Sequence, residues 1–244
     1  AVIGASIAAQ QLPRARAITT RWQQKQPRSP LGWQLEAEVE LSQRQWDVGI
    51  AALRMALGKG AGTDSAWMLH RALAQSGRAA DAKQQAEAWL REHPRDTTFL
   101  NLLGDAALAR GDLAGAEARF AQALKIQPQS PTLMNNLAYA QVLLKKPEAK
   151  QFALKAAQAA PYSAPVLDTL AQAFAAEGNA AKAVEVQTQV VALMPRAINY
   201  RIQLTRFHLQ AGDKKKVREE LERIRSQLGT APMPAEVQSL LQQV

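Results

Sequence analysis

Three histidines, no cysteine, 21 carboxylates and 30 basic side chains are the groups from which any chemistry in these 244 residues must be built. General acid–base or metal chemistry needs such groups within hydrogen-bond reach, and sequences commonly supply them as short motifs on one element. His70, His93 and His208 stand far apart, and no H-x-x-x-H or H-E-x-x-H pair places two imidazoles on one helix face. A cysteine nucleophile, a G-x-S-x-G elbow and a G-x-x-x-x-G-K-[ST] phosphate loop are all missing. The three imidazoles are therefore expected to pack or to cap helix ends. No catalytic residue, metal ligand or cofactor is expected, and the chain reads as a non-enzyme.

Charge is the next candidate. A net charge of +9 invites an anionic partner such as nucleic acid. The distribution weakens that reading. Residues 1–28 carry Arg14, Arg16, Arg21, Lys25 and Arg28 and no acid, while the rest of the chain nearly balances its bases with all of the acids. Trp22 is the sole stacking aromatic in the basic segment, too few for a single-strand binding platform. The Lys214-Lys215-Lys216 run is followed by Glu219, Glu220 and Glu222 and reads as a solvated turn. Nucleic acid is not expected as a partner. The alternative that remains is an anionic polymer, acidic polysaccharide or nucleic acid, held by the basic N-terminal segment.

The elements that position side chains follow from punctuation. Pro94, Pro128, Pro161 and Pro195 recur at a nearly constant step of roughly 34 residues. Each follows an apolar helical stretch that a proline cannot continue. Gly77, Gly111 and Gly178 lie half a period before Pro94, Pro128 and Pro195, and Gly212 lies the same distance before Gly229. Three of these glycines precede Asp112, Asn179 and Asp213. Glycine accepts the left-handed conformation that closes a helix, and Asp or Asn caps the next one. Each unit thus reads as helix, tight turn, helix, longer turn. The 48 alanines fit this design, because alanine favours helix and lets helices approach closely.

The unit from Thr97 to Ser130 carries Leu103-Gly104, Gly111-Asp112, Ala116, Phe120, Ala123 and Pro128. These positions resemble the tetratricopeptide (TPR) repeat. The resemblance covers nearly the whole chain and implies an all-α fold, a right-handed α-solenoid of helix-turn-helix repeats. Units are expected at about 1–29 (partial), 30–62, 63–96, 97–130, 131–163, 164–197 and 198–231, with 232–244 as a C-terminal capping helix. Ala82, Ala116, Ala149 and Ala183 mark one close helix crossing per unit, and Gly104, Ala138 and Ala171 another. Departures fall at His70, at Glu36 in a leucine position, at Trp22 and Trp89 in alanine positions, and at Leu144-Lys145-Lys146, which lacks the inter-helix glycine. Val237, Leu240, Leu241 and Val244 share one face of the last helix and should close the apolar end of the stack.

In TPR proteins the first helix of each pair lines a concave surface. Carried over, the resemblance implies a binding wall of Trp67, Arg71, Asn101, Asp105, Asn135, Asn136, Tyr139, Asp168, Gln172, Gln203 and Arg206. Side-chain amides there would satisfy the backbone groups of an extended peptide, so a protein or peptide partner is expected. The carboxylate clamp of chaperone-binding TPR domains is excluded. Asn136 matches its central Asn, but Asn101, Asp105, Pro165 and Thr169 stand where cations would be needed.

Two strings narrow the resemblance: L-M-N-N-L-A-Y at Leu133–Tyr139 and P-V-L-D-T-L-A at Pro165–Ala171. They are similar to consecutive first helices in bacterial TPR lipoproteins of PEP-CTERM/exosortase systems linked to exopolysaccharide export. Ala171 and Gln172 depart from the Gly-Trp pair found there. The resemblance implies a scaffold for polysaccharide export or protein sorting, periplasmic or outer-membrane-associated, with a lipid anchor and further repeats upstream. A cytoplasmic location stays open. No run approaches the roughly 20 apolar residues of a membrane span. The apolar start, AVIGASIAAQ, lacks Met and a preceding basic stretch, so it reads as the inside of a helix in a fragment or processed form.

Overall fold

The computed structural model describes residues 11–243, and within them every regular element is a helix. The helices are α1 (Leu12–Lys25), α2 (Leu31–Ser42), α3 (Trp46–Gly58), α4 (Thr63–Gln75), α5 (Ala79–Glu92), α6 (Thr97–Ala109) and α7 (Leu113–Ile126). They continue as α8 (Pro131–Leu143), α9 (Ala149–Ala159), α10 (Ala164–Ala176), α11 (Ala180–Leu193), α12 (Ile198–Gln210), α13 (Lys214–Leu228) and α14 (Ala235–Leu241). The all-α helix-turn-helix expectation is met. The apolar decapeptide that opens the chain lies outside the described residues.

The chain divides into two compact units between Leu102 and Leu103, a boundary inside α6. In the first unit α1 packs on α2, α2 on α3, α3 on α4 and α4 on α5. In the second each helix from α7 to α13 packs on its successor, and α8 also packs directly on α10. The helices so paired cover part of one another's apolar faces. A lone amphipathic pair could not bury its apolar face, and stacking removes it from water.

The turns carry the design. Gly77, Gly111, Gly178 and Gly212 adopt φ of 83°, 77°, 82° and 76°, the left-handed region in which a side chain is strained. Arg44 and Lys145 take the same place in the two repeats that lack the glycine, each at φ 56°. The polar residues after the turns act as caps. Asp112, Asn179 and Asp213 accept from the backbone N–H of Gly115, Lys182 and Lys216 at 2.9, 3.1 and 3.0 Å.

Close crossings explain the small residues. A Cβ built on Gly104 would lie 2.3 Å from Cε1 of Phe120, a ring that is fully buried. Ala116, Ala138, Ala171 and Ala183 are likewise wholly buried. The irregular positions are accommodated one by one. Glu36 accepts from Nε2 of Gln23 at 2.7 Å. His70 is buried, its Nδ1 3.0 Å from the carbonyl of Ala82. Trp89 is buried with its indole N–H donating to Asp96, whereas Trp22 stays 36% exposed.

At the C-terminus Val237 and Leu240 bury against Ile202, Val217, Leu221 and Ile224, as expected for a cap. Leu241, expected on the same face, is instead 44% exposed. The short α14 presents one i, i+3 ridge to α13, and the next residue turns about 100° away from it. Val244 lies outside the described residues. No described helix is long and apolar enough to cross a membrane.

Candidate functional site

The residues of the expected binding wall sit on the first helices of successive repeats, mostly one turn apart. Trp67 and Arg71, Asn101 and Asp105, Asn135 and Tyr139, and Asp168 and Gln172 are all i, i+4 pairs, which share one helix face. All the wall residues are half-buried or exposed, so the apolar stripe of each helix turns inward and these side chains do not.

In the first unit, α4 places Trp67 half-buried, stacked on His70 at 5.4 Å and edge-on to Phe99 at 6.3 Å. Arg71 is exposed and Asn101 half-buried. In the second unit Asp105 is exposed, yet lost hydration pushes its carboxyl above the ordinary range. Asn135 donates to Oδ1 of Asn136 at 3.3 Å, and the Oδ1 of Asn135 is buried without a partner. Tyr139 lies half-buried one turn on. On α12, Arg206 contacts Gln203 at 3.3 Å and also forms an ion pair with Glu236 of α14. That arginine therefore helps to hold the terminal helix.

The most constrained group is Asp168. Its Oδ2 accepts from Nε2 of Gln172 at 2.7 Å, and its Oδ1 from Nε2 of Gln187 at 2.8 Å. The Gln187 amide also donates to the carbonyl of Tyr200 at 3.1 Å, so one side chain of α11 ties α10 to α12. Burial pushes the Asp168 carboxyl up, against the opposing pull of the two amides. Burial first, and then the Asp168 charge, push the Tyr200 phenol up.

Gln187 and Tyr200 fall outside the residues that the wall positions nominate, Gln187 because it lies on a second helix. A signal was available. At the equivalent place in the other full repeats stand Leu53, Ala86, Phe120, Ala153 and Leu221, all buried and apolar. A lone amide in an apolar column has a polar partner to find.

The histidines are absorbed locally. His93 stacks on Trp89 at 3.8 Å, and His208 is buried, which lowers its pKa. Among the described residues no group of three or more His, Asp or Glu could hold a metal ion. Of the N-terminal cations, Arg16 is engaged by Glu40 through two hydrogen bonds of 2.7 and 2.8 Å. Lys216 pairs with Glu219 at 2.7 Å, so the lysine run is partly balanced within α13.

Comparison with known proteins follows the same lines. Residues 68–131 match the family model of the tetratricopeptide repeat. A tetratricopeptide repeat protein of Parabacteroides merdae superposes with a TM-score of 0.70 at 13% identity, over 87% of this chain and 84% of that one. The C-terminal part of a TPR repeat-containing protein of Cytophaga hutchinsonii gives 0.65 at 16%, over 98% of each. The Cut9–Hcn1 hetero-tetramer of the APC/C contains a chain that gives 0.64 at 12%, over 98% of this chain and 47% of that one. No curated protein matches the chain. The chain thus has the TPR solenoid fold, and residues 68–131 carry the sequence pattern of the tetratricopeptide repeat.

Proposed function

We propose that this chain is a non-catalytic scaffold that holds an extended peptide segment of a partner protein against its first helices. The observation that carries the reading is the wall of the second unit. Asn135, Asn136, Asp168, Gln172 and Gln203 offer amides and a carboxylate at matching places on α8, α10 and α12, with Tyr139 beside them. An extended segment brings unpaired N–H and C=O groups, and amides supply both donor and acceptor. The similarity to a chain of the Cut9–Hcn1 assembly fits a fold used for protein partners. As the setting we propose exopolysaccharide export or PEP-CTERM protein sorting in the bacterial periplasm or at the outer membrane. The strings Leu133–Tyr139 and Pro165–Ala171 support that setting.

A displayed random peptide library, enriched on the immobilised protein, tests the reading. Asn135→Ala combined with Asn136→Ala should weaken the enriched peptides about tenfold, the loss of one or two good hydrogen bonds. Circular dichroism should stay at the parent value. Absence of enriched peptides, or equal retention by the double variant, refutes the assignment. Deletion of the gene should reduce secreted exopolysaccharide or leave PEP-CTERM proteins unsorted, and unchanged levels of both would remove the proposed setting.

A further inference from the structure

Gln187 breaks an apolar column, and it is wholly buried. A buried amide is costly unless its polar atoms are bonded, so its retention here needs a counterpart. Its N–H groups find two, Oδ1 of Asp168 at 2.8 Å and the Tyr200 carbonyl at 3.1 Å, while its Oε1 has none. Gln172 orients the second carboxylate oxygen at 2.7 Å. The result is a carboxylate fixed by two neutral donors rather than by a cation. Among the described residues Asp168 forms no ion pair. The nearby arginines of α12 are committed elsewhere, Arg201 to Glu220 at 2.6 Å and Arg206 to Glu236.

Each carboxylate oxygen carries two acceptor sites, and only one on each is occupied. Both oxygens keep capacity for a charge-assisted bond, the arrangement that a forked guanidinium or an ammonium satisfies. Asp168 and Gln172 are half-buried residues of the expected first-helix wall rather than core residues. We propose that Asp168 is a receptor for a cationic side chain, Lys or Arg, of the segment held by the first helices. This rests on the peptide-scaffold reading and adds to it a chemical requirement on the partner. Gln187 acts as a positioning residue beneath the carboxylate.

The test titrates the nitrogen-15-labelled protein with three probes: the N-acetyl methylamides of lysine, arginine and norleucine. The two cationic probes should saturably shift the side-chain amide signals of Gln172 and Gln187, and norleucine should not. Asp168→Asn, with unchanged circular dichroism, should lower the apparent affinity for the cationic probes about tenfold. Should that variant fail to fold, Gln187→Leu restores the residue type of the column and should weaken the same probes several-fold. Equal shifts by norleucine, no shift by any probe, or undiminished binding by the folded variant overturns the proposal. The peptide library separates the two readings. Enriched peptides without a fixed basic residue, together with silent probes, leave the scaffold standing and remove the cation receptor. Probes that bind while no peptide is enriched do the reverse.

Discussion

Substituting Gly104 by alanine should destabilise this protein, although alanine is the better helix former. The gain in helix propensity is about 0.5–1 kcal/mol. Against it stands the ring of Phe120, whose Cε1, Cδ1 and Cζ would lie 2.3, 2.7 and 2.7 Å from the new methyl. Carbon contacts are comfortable from about 3.5 Å, so the ring must retreat by about 1.2 Å. It has no room to do so. Phe120 is fully buried in a cluster with Ala107, Ala116, Leu137 and Ala140, each no more than 3% exposed. Overpacking of this kind costs about 1–3 kcal/mol, so a net loss of about 1–2 kcal/mol is expected. Urea titrations followed by circular dichroism would measure it. Phe120→Leu alone should cost about 1–2 kcal/mol for the atoms removed. Combined with Gly104→Ala it should cost less than the sum by about 1 kcal/mol, because the shortened side chain makes the space. Unchanged or raised stability of Gly104→Ala, or strict additivity, would refute the close-crossing argument.

Lys145 holds a left-handed backbone at φ 56° with an exposed side chain, so Lys145→Gly should stabilise by about 0.5–1 kcal/mol. Lys146→Gly, which removes the 2.7 Å pair with Glu117, should not stabilise, and a melting comparison of the two variants decides. Burial lowers the pKa of His208, with Asp213, Glu220 and Glu219 opposing the shift and Lys216 adding to it. The unfolded chain then binds the proton first, so stability should fall as pH drops below about 6.5. Urea midpoints at neutral and mildly acidic pH should show a smaller fall for His208→Gln than for the parent, and equal falls would exclude His208 as the cause.

Much of the architecture can be read without coordinates, because it depends on local rules. Glycine at a left-handed turn, Asp or Asn as the next cap, proline beyond a helix and alanine at a crossing each act within a few residues. Their recurrence once per repeat therefore reports the fold directly. The first helices and their solvent-facing i, i+4 positions follow from the same period. Reading failed where a residue departs from its column. Arg44 and Lys145 occupy glycine's backbone conformation without glycine's identity, and only dihedral angles reveal them. Leu241 has the right periodicity, but α14 contacts its neighbour along too short a ridge to bury it.

The wall itself divides in the same way. Its members are legible from repeat positions, but their electrostatic state is not. The sequence presents Arg206 as a cation of the binding face, and tertiary structure commits it to Glu236 of the terminal helix. It presents Asp168 as one polar residue among many, whereas packing places Gln187 beneath it from α11, and among the described residues no ion pair engages it. Period and residue type thus determined the helices, the turns and which side chains face outward, because those depend on neighbours along the chain. Only the stacked helices decided which charges are paired and which carboxylate is left with acceptor capacity, because those partners stand on different helices and meet only once the repeats pack.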